Sequence, residues 1–129
     1  MIVYAKHCGA HRFELRSGAH LALSDLLPEY GGEDQGPMPT ELLLWSIASC
    51  FGQSMLFVAA KMKKELDGLD LEVGTSKNKA TQRLESVTIS IASASPVALV
   101  EKIAQLAKRY CFVTNSLAVP LECIVKAQE

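Results

Sequence analysis

Aromatic side chains are scarce in this chain, with one Trp, three Tyr and four Phe among 129 residues. So few rings cannot build a surface on which successive nucleic-acid bases stack. An excess of charge is also lacking: the formal net charge is −1 and the pI about 6.3. No basic tract or acidic tail is present, which argues against nucleic acid as the partner. Paired cysteine motifs are missing too, since none of the four cysteines has a second one two residues away. The opening stretch Met1-Ile-Val-Tyr-Ala-Lys-His-Cys8 lacks the long apolar run and small-residue site of a secretion signal. Four cysteines without such a signal are expected in a reducing, cytoplasmic setting, reduced and either catalytic or inert.

One long apolar run is present. Leu42 to Ala60 carries no charge and is followed by Lys61-Met-Lys-Lys64. Its length suits a membrane span. Ser46, Ser49, Gly52, Gln53 and Ser54 dilute it, however, and the remaining strands need something to pack on. The preferred reading has no membrane. It is a helix apolar nearly all round, buried in a core or a dimer.

The length favours a single domain over 1–129. Residues 2–6, 12–16 and His20–Leu23 read as strands, and Leu26 to Pro39 as a loop dense in Pro and Gly. A helix opens at Pro39-Thr40, with Glu41 in its first turn, and is expected to run to about Leu66, ended by Asp67-Gly68. Strands are expected at Leu69–Val73, Lys79–Leu84 and Val87–Ile91. Val97, Val100, Ile103, Ala104, Ala107 and Tyr110 recur at helical spacing after Pro96. A short turn over Asn115–Leu117 and a strand over Leu121–Val125 close the chain. Strands and helices are segregated in this order, which predicts an α+β fold.

Cys50 and Cys111 are the chemical groups of most interest. Each sits among residues that read as packed structure, and a free cysteine often fills space as a small hydrophobe. A reactive role needs a thiolate, and Cys50 lies too far inside its helix for the dipole to supply one. A basic side chain is needed; Arg16 and Arg12, on one side of the second strand, are the candidates. Cys111 sits where its helix ends, a place from which a thiol can move. The rival site is His7-Cys8-Gly-Ala-His11, whose imidazoles and thiol are metal-ligand types, with His20 able to join them. Its plain reading is a solvated hairpin turn. Cys123 reads as core within the last strand.

Three stretches together resemble the OsmC/Ohr family, the osmotically inducible and organic hydroperoxide resistance proteins. Gly36-Pro-Met-Pro-Thr-Glu-Leu-Leu-Leu44 looks like the family's start to its central helix, Ala48-Ser-Cys50 like the end of that motif, and Cys111-Phe-Val-Thr-Asn-Ser-Leu117 like the second motif, commonly Cys-Pro-Val-Ser-Asn-Ala-Leu. Order, spacing and length fit over the whole chain. The resemblance implies an intertwined OsmC-like homodimer, with antiparallel sheets around a long central helix. It implies that Cys50 attacks a hydroperoxide and becomes a sulfenic acid, that Cys111 resolves it as a disulfide, and that a lipoyl-type or other small dithiol restores both. Arg16, Arg12 and Glu41 are the candidate supporting residues. No cofactor or metal is expected in such thiol chemistry. The chain departs from the family's peroxidases in having Thr40 where their Glu follows the Pro, with Glu41 one place later, and Phe112 where a Pro is common. An OsmC-like dimer that senses redox state or binds a small ligand, with little turnover, is the alternative.

Overall fold

The computed structural model describes residues 1–127. They form two compact units, one over Met1–Leu43 and the other from Leu44 onward. In the first, β1 (Tyr4–Gly9), β2 (Arg12–Ser17) and β3 (His20–Ser24) make an antiparallel sheet in sequence order. After it the chain folds back on itself around one side chain. Asp25 is buried, and its carboxylate accepts hydrogen bonds from the N–H groups of Leu26, Glu33 and Gln35 at 2.8, 3.3 and 3.1 Å. The Asp25 N–H in turn donates to the Pro37 carbonyl at 3.1 Å. Gly32 lies so near the Leu26 carbonyl that a Cβ there would collide with it. The expected Pro- and Gly-rich loop is therefore a closed, hydrogen-bonded turn.

Burial works to raise the Asp25 pKa, but the three N–H donors and the nearby Arg12 charge outweigh it and hold the carboxyl below its usual range. A carboxyl depressed in the folded state stabilises it above the unfolded value of about 3.9, and that contribution disappears as pH falls through the lower folded value. We expect acid to open this turn first and Asp25→Asn to open it at neutral pH. Hydrogen exchange at the Leu26, Glu33 and Gln35 amides checks this; unchanged protection in the variant would count against it.

α1 (Pro39–Lys61) begins where the turn delivers it. Pro39 occupies the first helical position, and the Glu41 carboxylate accepts a hydrogen bond from the Met38 N–H at 3.0 Å, half of a capping box. The helix ends at Lys61, about a turn and a half before the expected Leu66. Lys63 turns left-handed at φ 55°, and the Lys63 and Lys64 N–H groups bond back to Ala60 and Ala59. Length and composition alone would let α1 cross a membrane. Within this chain Ile47, Phe51, Ser54, Met55 and Val58 form a buried stripe at helical spacing. The expectation of burial nearly all round is not met inside one chain: Trp45, Leu56 and Phe57 are 63%, 53% and 50% exposed.

The second unit holds β4 (Asp70–Asn78), β5 (Arg83–Ser93), α2 (Val97–Ala107), the one-turn α3 (Phe112–Asn115) and β6 (Leu121–Ala127). β4 and β5 are a long antiparallel hairpin, so Lys79–Leu84 is mainly its turn and not a separate strand. The Asn78 side chain accepts from the Ala80 and Thr81 N–H groups at 3.0 and 3.2 Å, and Gln82 turns left-handed. The expected antiparallel arrangement fails at β6, which joins β5 in parallel because α2 and α3 carry the chain back across the sheet. The short turn falls at Phe112–Asn115, earlier than Asn115–Leu117. The α+β class stands. Val87, Ile89 and Ile91 bury one face of β5; Leu71 and Val73 of β4, and Leu121, Cys123 and Val125 of β6, are their ladder partners on that face.

Candidate functional site

Cys50 lies in the middle of α1, half-buried. The Ser54 hydroxyl donates to the Cys50 carbonyl at 2.8 Å, a back-bond across one turn that fixes a buried hydroxyl beneath the cysteine. One residue past the buried Phe51, Gly52 lies against Leu71 of β4, where a Cβ would meet the Leu71 side chain at 3.5 Å. Helix and sheet thus pack closely beside the cysteine.

Cys111 arrives from the other direction. α2 ends at Ala107, and Cys111, extended at φ −81° and ψ 97°, stands immediately before α3. Its carbonyl accepts from the Asn115 N–H at 2.9 Å, and its side chain is wholly buried. The Cys50 thiol lies close enough to act on the ionisation of the Cys111 thiol, and both are free. Burial pushes the Cys111 thiol up. Hydrogen bonds from the Thr114 hydroxyl and N–H oppose this, while the Cys50 thiol adds to it. Cys111 is thus held mainly as a neutral thiol beside Cys50.

Cys50 opens onto a cavity of about 330 Å³, lined also by Gln53, Ser54, Phe57, Tyr110 and Phe112. That volume suits a small organic molecule. Gln53, Ser54 and Phe57 follow Cys50 by three, four and seven places, so one helix stripe forms the floor. Phe57 and Tyr110 meet edge to face at 5.1 Å, and the Lys61 ammonium lies 5.1 and 5.3 Å from their ring centres. The pocket therefore has an aromatic wall, with a cation beside its Phe57 and Tyr110 rings. The aromatic wall was absent from the sequence reading, although Phe57 at helical spacing from Cys50 was a visible signal.

The other candidates are each engaged within the first unit. Arg12 donates to the Cys8 carbonyl at 3.3 Å, and its pKa is raised, first by a hydrogen bond with the Cys8 side chain. Arg16 rests on the Tyr4 ring, 4.6 Å from its centre. The Glu41 carboxylate is bonded to the start of α1. At the rival site, His7 Nε2 is bonded to the Ala10 carbonyl at 2.8 Å. Among the described residues, no three His, Cys, Asp or Glu side chains gather to hold a metal ion.

A family described as OsmC-like protein matches residues 32–126, which include both cysteine motifs. No curated protein sequence matches at a significant level. Several solved structures share the fold. A protein of Psychrobacter arcticus described as a putative osmotic stress induced and detoxification response protein is 21% identical, with TM-score 0.83, covering 98% of this chain and 94% of that one. The OsmC like protein of Mycoplasma pneumoniae is 15% identical, with TM-score 0.85 and coverage of 99% and 96%. The organic hydroperoxide resistance protein OhrB of Bacillus subtilis is 17% identical, with TM-score 0.70 and coverage of 98% and 96%.

Proposed function

We propose, for a chain that belongs to the OsmC family of OsmC-like proteins, that it is a thiol-dependent peroxidase acting on organic hydroperoxides. The observation that carries this reading is that a half-buried Cys50, at the edge of an apolar cavity, has the buried Cys111 thiol as an interacting neighbour. The Cys50 thiolate attacks the outer peroxide oxygen and the O–O bond breaks. The alcohol leaves with a proton, and Cys50 becomes a sulfenic acid. The Cys111 sulfur then attacks the Cys50 sulfur, water is lost and a disulfide forms. A small dithiol, lipoyl-type or similar, returns both thiols by exchange and is itself oxidised.

Arg16, ahead of Arg12, is the candidate for stabilising the Cys50 thiolate, and Glu41 caps the start of α1. The chain acts as one OsmC-like domain in a cytoplasmic homodimer. The exposed Trp45 and Leu56 on one face of α1, and the exposed Phe112 of α3, support a partner copy, since exposed apolar side chains favour burial against another surface.

Turnover tests the reading. With excess dithiol, the protein is expected to consume many equivalents of cumene hydroperoxide per chain. A protein that reacts once and stops is a sensor or binder instead. The aromatic wall gives a second expectation. Phe57→Ala should raise KM for a bulky aromatic hydroperoxide about tenfold, the equivalent of ~1.4 kcal/mol, with hydrogen peroxide hardly affected. Equal effects on both substrates, in steady-state kinetics, would remove Phe57 from substrate binding.

A further inference from the structure

The chemistry proposed above uses two thiols, yet the second unit places three on one packed layer. Cys123 of β6 is the ladder partner of Ile89. Ladder partners point to the same side of a sheet, and Ile89 is fully buried. Cys123 therefore faces the packed side, where it is half-buried. Cys111 is buried on that side as well. Thr114, three residues beyond it, lines a small cavity with Leu121, Ile47 and Val87, which seats α3 against the start of β6. The Cys111 and Cys123 sulfurs are near enough to interact electrostatically. Cys111 is thus the shared neighbour of two other thiols.

The segment that carries Cys111 is also short. α3 is a single turn, and the adjacent Phe112 is 84% exposed. Segments with few buried contacts open at low cost, and a sulfur that exchanges partners must move.

We propose that Cys123 is a third redox thiol, which takes the disulfide over from Cys50. This rests on the peroxidase reading. The Cys123 thiolate attacks the Cys111 sulfur of the Cys50–Cys111 disulfide. The Cys111–Cys123 bond forms, the Cys50–Cys111 bond breaks, and Cys50 leaves as a thiolate. The proton given up by Cys123 passes to solvent, and no net electrons are exchanged. Burial disfavours the Cys123 thiolate, and Cys111 and Glu122 add to that, while the Lys108 ammonium favours it. Cys50 is thereby free to meet a second hydroperoxide while the first oxidation is stored at Cys111–Cys123. Its new sulfenic acid then has no resolving thiol, so excess peroxide produces a chain with both a disulfide and a sulfenic acid.

The test uses the whole reduced protein, one and then three equivalents of cumene hydroperoxide, acid quenching, alkylation and peptide mapping, with dimedone to trap sulfenic acid. One equivalent should give Cys50–Cys111, in the wild type and in Cys123→Ala alike, which also shows that the variant is folded. Three equivalents should convert the wild type mainly to Cys111–Cys123, with dimedone on Cys50 at least about fivefold above the Cys123→Ala level. Cys50–Cys111 that persists at three equivalents without any Cys111–Cys123 overturns the relay and leaves the peroxidase reading intact. No disulfide of either kind overturns both.

Discussion

In Cys50→Ser, hydroperoxide consumption with a dithiol falls to the uncatalysed background, a loss of at least about a thousandfold. Serine keeps nearly the shape of cysteine and so leaves α1 and its packing in place. A hydroxyl is not ionised at neutral pH and is a poor nucleophile towards peroxide oxygen. The effect is large because Cys50 is the one thiol of the second unit that lines the cavity. Cys111 is wholly buried, with burial holding its thiol neutral, and Cys123 does not line the cavity that Cys50 opens onto. Consumption of peroxide in a coupled assay measures this, with circular dichroism showing the fold retained. Activity near that of the wild type would place the reaction elsewhere.

Cys111→Ala has a different signature. The first equivalent of hydroperoxide reacts at Cys50 as before, so a burst of about one per chain remains. The sulfenic acid then lacks its neighbouring thiol and, in excess peroxide, proceeds to sulfinic acid, which a dithiol cannot reverse. Steady turnover should drop by about a hundredfold or more, and mass spectrometry should show Cys50 heavier by two oxygens. Alanine is preferred to serine because the site is buried and an unpaired hydroxyl there costs about 1–3 kcal/mol. In the wild type, disulfide formation should quicken as pH rises. Cys111 must lose its proton to attack, and burial first, opposed by Thr114 and reinforced by Cys50, keeps that proton on. Turnover undiminished in Cys111→Ala would mean that resolution goes directly to an external thiol.

Local patterns showed most of the elements. Alternation marked β2 and the centre of β5, and Pro39 with a long apolar run marked α1. Features set by the chain's return on itself were not legible. Nothing in Lys61-Met-Lys-Lys64 distinguishes the left-handed Lys63 that ends α1 from a continuing helix. The β4–β5 hairpin was read as separate strands because its polar Thr, Ser and Lys positions weaken the alternation around Asn78. The parallel pairing of β6 depends on the α2–α3 crossover, which a local reading cannot see. For the site, the motifs brought out Cys50 and Cys111, and the fold brings those two together. The turn around Asp25 and the nearness of Cys123 to Cys111 were not legible, because a buried carboxylate in a loop and a thiol in a strand acquire neighbours only on folding. Glu41, one residue after Thr40, accepts a hydrogen bond from the Met38 N–H, a cap that becomes visible only on folding.

The most direct measurement of the central claim is a thiol count with linkage mapping after the reduced protein meets one equivalent of organic hydroperoxide. The expected result is the loss of two thiols per chain, one equivalent of alcohol released, and a single Cys50–Cys111 disulfide that a dithiol reverses. Four thiols still free, with the hydroperoxide unconsumed, would contradict the account.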